Sequence, residues 1–216
     1  MSADYVPALG HRVLTPFYDL AIALATRERR WRQALVEQVA PTASDVILDV
    51  GCGTGSLIAR LGRHAPDAQY IGLDPDPDIL ARARHKLNRA GLRVVFEEGF
   101  ARDAGRFADR GVTKVVSSLV FHQVPLAEKA AGLAACFAAL RSGGTLHIAD
   151  YGLQRTSAMR RNFRRVQRLD GFENTEPNAL GVLPRLIAEA GFGDVQETLI
   201  LPTPTGSISI YRGVRL

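Results

Sequence analysis

The chain has 216 residues, of which 46% are hydrophobic and 23% charged, the make-up of an ordinary globular domain. That excludes a disordered chain, a collagen-like chain and a small disulfide-stapled scaffold. The net charge is +5, and all of the 27 basic residues except Lys86, Lys114 and Lys129 are arginine, which permits anionic partners without choosing among them.

No apolar run approaches the roughly 20 residues of a membrane span. The N-terminus carries Asp4 and Pro7 and lacks a basic-then-apolar leader, so no secretory signal is read. Cys52 and Cys136 lie far apart, and a reduced, cytoplasmic setting is expected. In chain order, residues 3–25 are mostly apolar, broken by Pro7 and Pro16. A helix is predicted over Arg27–Ala40, stopped by Pro41. Val46–Val50 reads as a buried strand running into glycines. A helix over Gly55–His64, a strand over Gln69–Leu73 and a helix over Ile79–Ala90 follow, the last ended by Gly91. Strands are predicted at Leu92–Glu97 and Lys114–Val120. A helix over Leu126–Arg141 is closed by a Gly143-Gly144 turn, and Thr145–Ala149 is a fifth strand. Helices over Arg155–Leu169 and Leu180–Ala190 precede two last strands, Asp194–Leu201 and Ser207–Arg212. Strands separated by helix-length segments pair in parallel through right-handed crossovers. The last two share a short loop and form an antiparallel hairpin at or near one edge. The predicted class is α/β, an open doubly wound sheet with its ligand site outside the carboxyl ends of the strands.

The most informative segment is Val46-Ile-Leu-Asp-Val-Gly-Cys-Gly-Thr-Gly55. Three alternating glycines, Gly51, Gly53 and Gly55, let the backbone turn sharply and let a ligand lie against it. Free N–H groups at the following helix start suit electronegative ligand atoms. Asp74 ends the next strand about twenty residues on, where a carboxylate accepts hydrogen bonds from both ribose hydroxyls. Loop and acid together point to an adenosine cofactor. The third glycine comes one residue too early for the dinucleotide pattern, so a nicotinamide cofactor is disfavoured. Asp49, two residues before the loop, would sit badly beside a pyrophosphate and suits an ammonium group better.

Val46–Leu61 resembles the first motif of the class I S-adenosylmethionine-dependent methyltransferases. Ile71–Leu80 resembles their second, and Leu140–His147 the step before their fifth strand. The resemblance implies a Rossmann-like, seven-stranded, mostly parallel sheet with a C-terminal antiparallel hairpin. It implies that Asp49, Gly51, Cys52, Gly53 and Gly55 hold the methionine part of S-adenosyl-L-methionine and Asp74 and Pro75 its ribose, with Phe100, Ala101 and Leu119 completing the cofactor set. Over His11–Asp19, Arg29-Arg-Trp-Arg32, Ala190-Gly-Phe192 and Ile208–Leu216 the chain resembles the ubiquinone/menaquinone C-methyltransferase-like branch (methyltransferase type 11). That favours C- or O-methylation of an aromatic or quinone-like acceptor, small or lipid-like. Two departures stand out. Phe100 replaces an acid and cannot accept from an adenine amino group, and His122-Gln123 replaces an arginine-asparagine pair after the fourth strand.

His122, Asp150 and Tyr151 follow the fourth and fifth strands and are the candidates for a catalytic base. Residues 1–40 are expected to form a helical lid over the methyltransferase domain of residues 41–216, with Tyr5, His11, Tyr18 and His122 touching the substrate. Lys114 is expected at a solvent-facing strand start, and His147 and Cys136 in structural roles. In the Arg155–Leu169 helix, Met159, Phe163, Val166 and Leu169 form an apolar stripe. Arg160, Arg164 and Arg168 line another face, fit for an anionic substrate or peripheral contact with an anionic membrane. No metal and no nucleic-acid partner is expected, and the chain is expected as a monomer or homodimer. The competing function is a non-catalytic S-adenosylmethionine-binding regulatory or assembly protein.

Overall fold

The computed structural model describes residues 27–216. Helix α1 spans Glu28–Val39, followed by β1 Val46–Val50, α2 Ser56–His64, β2 Gln69–Asp74, α3 Pro77–Arg89 and β3 Val94–Glu98. A 3₁₀ helix, Ala101–Arg110, leads into β4 Val112–Ser118, and a short one, Phe121–Gln123, follows it. Then come α4 Leu126–Ala139, β5 Leu140–Tyr151, α5 Ser157–Asp170, α6 Phe172–Ala179, α7 Leu183–Glu189, β6 Gly193–Thr203 and β7 Gly206–Val214.

The seven strands lie in the order β3-β2-β1-β4-β5-β7-β6. All pairs from β3 to β5 are parallel, while β7 runs antiparallel to both β5 and β6. The hairpin expected near one edge is thus a strand, β7, inserted between β5 and the edge strand β6. Period-two alternation sorts the core into two layers. Ile47, Tyr70, Val116 and Ile210 face Trp31, Leu35, Ile58, Leu61, Leu87 and Phe163 of α1, α2, α3 and α5. Leu48, Val50, Leu73 and Val115 face Leu133 and Cys136 of α4 and Leu183 and Ile187 of α7. β1 is buried between the layers, which is why its sequence is apolar except for Asp49.

Several predicted boundaries are corrected. β4 ends at Ser118, because Leu119 takes a positive φ of 57°. β5 begins at Leu140, where it pairs with Val112, and Gly143 and Gly144 lie inside the strand as an irregularity. The Gly143 N–H donates to the Arg215 carbonyl at 2.7 Å, so the pair joins the sheet instead of closing a turn. The helix expected over Leu180–Ala190 is α7, Leu183–Glu189, and a further helix, α6, precedes it across Gly181 at φ 81°. The Asn-Pro-rich sequence of α6 hides it, because Pro177 is an interior breaker by propensity. Leu169 is 62% exposed, so the buried stripe of α5 is Phe163, Val166 and Gln167. Arg160 pairs with Glu176 at 2.8 Å, while Arg161, Arg164, Arg165 and Arg168 make no salt bridge among the described residues.

Lys114 is not a solvent-facing cation. Its Nζ lies 2.6 Å from Asp45 and donates to the Ala40 carbonyl at 3.1 Å. Burial raises the Asp45 carboxyl, but donors from Lys114, Thr113 and Thr42 outweigh it and hold the group at about 2. The knot ties α1 to the start of β1 and β4. His147 is buried between Gln38 (3.0 Å) and Thr145 (2.9 Å), and burial with nearby Lys114 and Arg212 pushes it down to about 3. The Cys136 thiol is buried and pushed up to about 12 by desolvation. Among the described residues no helix is long and apolar enough to cross a membrane.

Candidate functional site

The glycine loop forms where β1 runs out, at the carboxyl edge of the sheet. Gly51, Gly53 and Gly55 all adopt left-handed φ, 71°, 51° and 71°. A Cβ on Gly51 would stand 2.2 Å from Val120 Cγ2, so the position needs glycine for space as well as for φ. The N–H groups of the loop itself, before the start of α2, are largely spent within the chain. Gly51 and Cys52 donate to the Leu73 carbonyl (2.8 and 3.0 Å), and Gly55 to that of Cys52 (2.9 Å). Gly53 donates to Asp74 Oδ2 at 2.9 Å. The loop is therefore folded back over the end of β2, and this holds Asp74 in place. The Cys52 thiol faces the sheet, close against Gly72, and burial raises its pKa. Cys52 thus offers the site backbone, not sulfur.

Asp74 is buried, and its other oxygen accepts from the Asp76 N–H at 3.1 Å. Burial raises its pKa against these two donors. Each oxygen of a carboxylate accepts about two hydrogen bonds, so both retain capacity for a further donor, the requirement of a vicinal diol. Pro75 separates it from Asp76, which caps α3.

Asp49 is the anomaly of the site. It is fully buried, and neither carboxylate oxygen has a hydrogen-bond partner. Burial raises its pKa to about 7, opposed by Arg32 and reinforced by Asp74. A buried carboxylate without donors is costly, and almost all such groups in proteins are satisfied. A ligand carrying an ammonium group would supply the missing donor. Beside it lies a cleft of about 210 Å³ lined by Arg32, Gly51, Gly53, Ser56, Ile79 and Ser118, among others. A cofactor with an ammonium group and a ribose fits this arrangement of Asp49, glycine loop and Asp74.

The rest of the predicted cofactor set is placed differently. The Phe100 N–H donates to Asp103 at 2.8 Å, and its ring lies under the Arg102 guanidinium at 4.4 Å. Asp103 is thereby occupied as a helix cap. The Ala101 methyl faces Gly132 of α4. Leu119 turns the chain after β4, its N–H held by the Ala149 carbonyl at 2.9 Å.

On the acceptor side, His122, Asp150 and Tyr151 do come together. His122 Nδ1 lies 2.7 Å from Asp150, and Nε2 lies 3.3 Å from Asp170 at the end of α5. The Tyr151 ring meets the imidazole edge-on at 5.0 Å. Asp150 accepts from the backbone N–H groups of Phe121 (2.7 Å), His122 (3.3 Å) and Tyr151 (2.7 Å) as well. Its lone pairs are filled, which leaves none for a substrate proton. Burial lowers the His122 pKa, but the two carboxylates outweigh it and raise it to about 9. At neutral pH His122 is an imidazolium with both nitrogens engaged, the opposite of a free base. Lys129, fully buried, donates to the carbonyls of Phe121 and Val124 (2.7 Å for the latter), and Asn174 of α6 donates to Gln123 (3.1 Å). Asp170, Lys129 and Arg32 were not among the predicted site residues. The first two carry no sequence signal, while Arg32 falls in the Arg29-Arg-Trp-Arg32 segment. Tyr5, His11 and Tyr18 lie outside the described residues.

The geometry implies a pH dependence. The folded-state pKa of His122 is raised above the ordinary 6.5, so its stabilisation is full below about 6.5 and lost as pH rises through about 9. A shift of that size corresponds to on the order of 3 kcal/mol. His122→Asn should melt well below the parent at pH 6 and approach it at pH 10. Equal deficits at both pH values would show that the contribution is packing.

Residues 47–144 match the family model of the methyltransferase domain. The demethylmenaquinone methyltransferase of Thermus thermophilus is 34% identical over 140 residues, 64% of this chain and 62% of that one. The chain thus spans less than two thirds of that curated relative. An O-methyltransferase family protein from Burkholderia thailandensis superposes with a TM-score of 0.70 at 20% identity, over 96% of this chain and 61% of its own. The magnesium protoporphyrin IX methyltransferase of Synechocystis PCC 6803, solved with bound S-adenosylhomocysteine, superposes with a TM-score of 0.63 at 16% identity, over 88% and 84%. At these identities the two solved structures speak to the fold. Sheet order, glycine loop and family match agree: residues 47–144 are a methyltransferase domain, set in the class I S-adenosylmethionine-dependent methyltransferase fold.

Proposed function

We propose that the protein transfers a methyl group from S-adenosylmethionine to a small-molecule or lipid-like acceptor, at a carbon or oxygen of an aromatic or quinone-like compound. The observation that carries the cofactor half is Asp49, a buried carboxylate with no donor, beside the glycine loop and Asp74. The acceptor half is supported by likeness to the demethylmenaquinone methyltransferase. When bound, the cofactor supplies an already activated methyl group on a sulfonium. The chain's own residues then have to bind, orient and exclude water, and orientation alone is worth many powers of ten. Asp49 accepts from the ammonium and Asp74 from the ribose hydroxyls. The pinned loop keeps the two carboxylates in register.

We assign His122 a standing positive charge at the carboxyl end of β4, held by Asp150 and Asp170. Paired with two carboxylates, the imidazolium offers an acceptor no net positive charge, and its part is to hold the chain after β4 against β5 and α5. Asp150 and Tyr151 position it. The exposed arginines of α5, with Leu169 and Phe172 exposed beside them, suit peripheral contact with an anionic membrane.

Asp74→Ala should weaken S-adenosylhomocysteine binding at least tenfold by titration calorimetry, the loss of hydrogen bonds to a charged acceptor being worth about 1.5–3 kcal/mol. Unchanged affinity would remove the ribose assignment. The function itself is tested by labelled-methyl transfer from S-adenosylmethionine into cell extract, split into lipid, aqueous and macromolecular fractions. Label in the lipid fraction supports a quinone-like acceptor, and label in the aqueous fraction a soluble one. No transfer by a protein that binds the cofactor would count against an enzyme.

A further inference from the structure

We propose that the corner between α5 and α6 docks on a bilayer with anionic headgroups, and that this docking turns the acceptor side of the cleft toward the membrane. The inference rests on the methyltransferase reading above and deepens it, by naming the surface from which a lipid-like acceptor is taken.

Arg161, Arg164, Arg165 and Arg168 recur at i, i+3, i+4 and i+7, which places all four on one face of α5. Phe163 and Val166 hold the opposite face in the core, so the arginine face is the outward one. All four arginines are exposed. The acids within reach are committed elsewhere: Glu176 accepts from Arg160 and Gln167, and Asp170, the sole acid of α5, pairs with His122. With only Glu173 exposed among them, the corner keeps a positive charge. On other parts of the surface Arg102, Arg185 and Arg212 pair with Glu128, Glu189 and Asp194. Leu169 at the end of α5 is 62% exposed, and Phe172 at the start of α6 is 58% exposed. A basic face that ends in exposed apolar side chains matches the headgroup boundary, which takes cations at the phosphates and apolar groups just beneath. A nucleic-acid backbone would satisfy the arginines and leave Leu169 and Phe172 in water. The corner is also bonded to the end of the sheet that carries the cleft. Ser118 closes β4 and lines the cleft. Just beyond it, Asp170 holds His122 at 3.3 Å, and Asn174 donates to the Gln123 carbonyl at 3.1 Å. A bilayer under Leu169 and Phe172 thus adjoins the acceptor side, and an apolar acceptor passes between them without crossing water.

The test sediments the full chain with vesicles of phosphatidylcholine, and with vesicles of equal parts phosphatidylcholine and phosphatidylglycerol. The chain is expected with the second and not with the first. An arginine at an anionic surface strengthens binding about fivefold, so Arg164→Gln combined with Arg168→Gln should weaken it about 25-fold. Arg110→Gln, exposed before the start of β4, should bind like the parent. An environment-sensitive fluorophore on Phe172→Cys should shift to the blue on the anionic vesicles, and one on Asp109→Cys should not. Cys52 and Cys136 are buried and take no label. No binding to the anionic vesicles, equal binding by the double arginine variant, or an unshifted fluorophore at position 172 would overturn the inference. Binding of duplex DNA in place of vesicles would overturn it too, and assign the face to nucleic acid. S-adenosylhomocysteine affinity, titrated on the same proteins, should be equal in parent and variants. A parent that binds the vesicles but not S-adenosylhomocysteine would remove the methyltransferase reading and leave the docking surface in place.

Discussion

Asp49→Asn is expected to weaken S-adenosylhomocysteine binding about a hundredfold, since it removes the charged acceptor for the ammonium. The same substitution should make the ligand-free protein more stable. Burial holds the Asp49 pKa at about 7, against 3.8 for a free carboxyl. The folded-state value is raised, so the folded protein keeps a proton that the unfolded chain releases. Stability therefore falls as pH rises from about 4 to about 7 and stays reduced above that, by on the order of 4 kcal/mol. Asparagine removes the charge and with it this cost. Melting curves of parent and variant should nearly coincide at pH 4 and separate at pH 8, with the variant higher. A variant less stable at pH 8 would mean that the carboxylate already has a donor and is not waiting for a ligand. Cofactor affinity in the parent should rise with pH up to about 7, because an ammonium ligand requires the ionised carboxylate. Titrations below that pH should release a proton on binding.

Gly51→Ala should be the most damaging single methyl in the loop. The residue has φ 71°, and its new Cβ would lie 2.2 Å from Val120 Cγ2. A left-handed conformation costs a non-glycine residue about 1–2 kcal/mol, and forcing a methyl into packed surroundings adds about 1–3 kcal/mol. Relief means moving the backbone, which breaks the bonds of Gly51 and Cys52 to Leu73 and misaligns Asp49 against Asp74. Urea unfolding should show a loss of about 3 kcal/mol, and S-adenosylhomocysteine binding should disappear. Gly53→Ala is the control: φ is 51°, nothing lies within 4 Å of the added Cβ, and only the conformational cost applies. In the Gly51→Ala background, Val120→Ala removes the colliding methyl and should restore part of the stability. If Gly53→Ala proves as harmful as Gly51→Ala, the contact with Val120 is not the cause.

The glycine loop, Asp49 and Asp74 were legible because strand period, glycine spacing and a strand-end acid are local patterns. So was the sheet, because alternation of strand and helix restricts its topology. What the sequence hid is what depends on neighbours far along the chain. That the loop N–H groups are consumed by Leu73 and Asp74 follows from β1 and β2 ending side by side, which no spacing reports. His122 read as a base because its free pKa suits one. Asp170, 48 positions on, reverses that by supplying a second carboxylate. Lys114 reads as solvent-facing because its partner, Asp45, lies in the loop before β1, far back along the chain. Helix α6 was missed because Thr175 and Asn178 make the hydrogen bonds that propensity cannot foresee, to Gly171 and Tyr151.

The insertion of β7 between β5 and β6 has a consequence for synthesis. Among the described residues β6 pairs with β7 alone, so it is synthesised before that partner and, until then, has nowhere to dock. β5 meanwhile presents an open edge, the kind of surface that recruits foreign strands. The parallel half, β3 to β5, can assemble early, but the sheet cannot be completed by growing outward in chain order. A chain truncated between β6 and β7 would therefore keep its glycine loop but leave β6 and the open edge of β5 exposed to aggregation and to proteases.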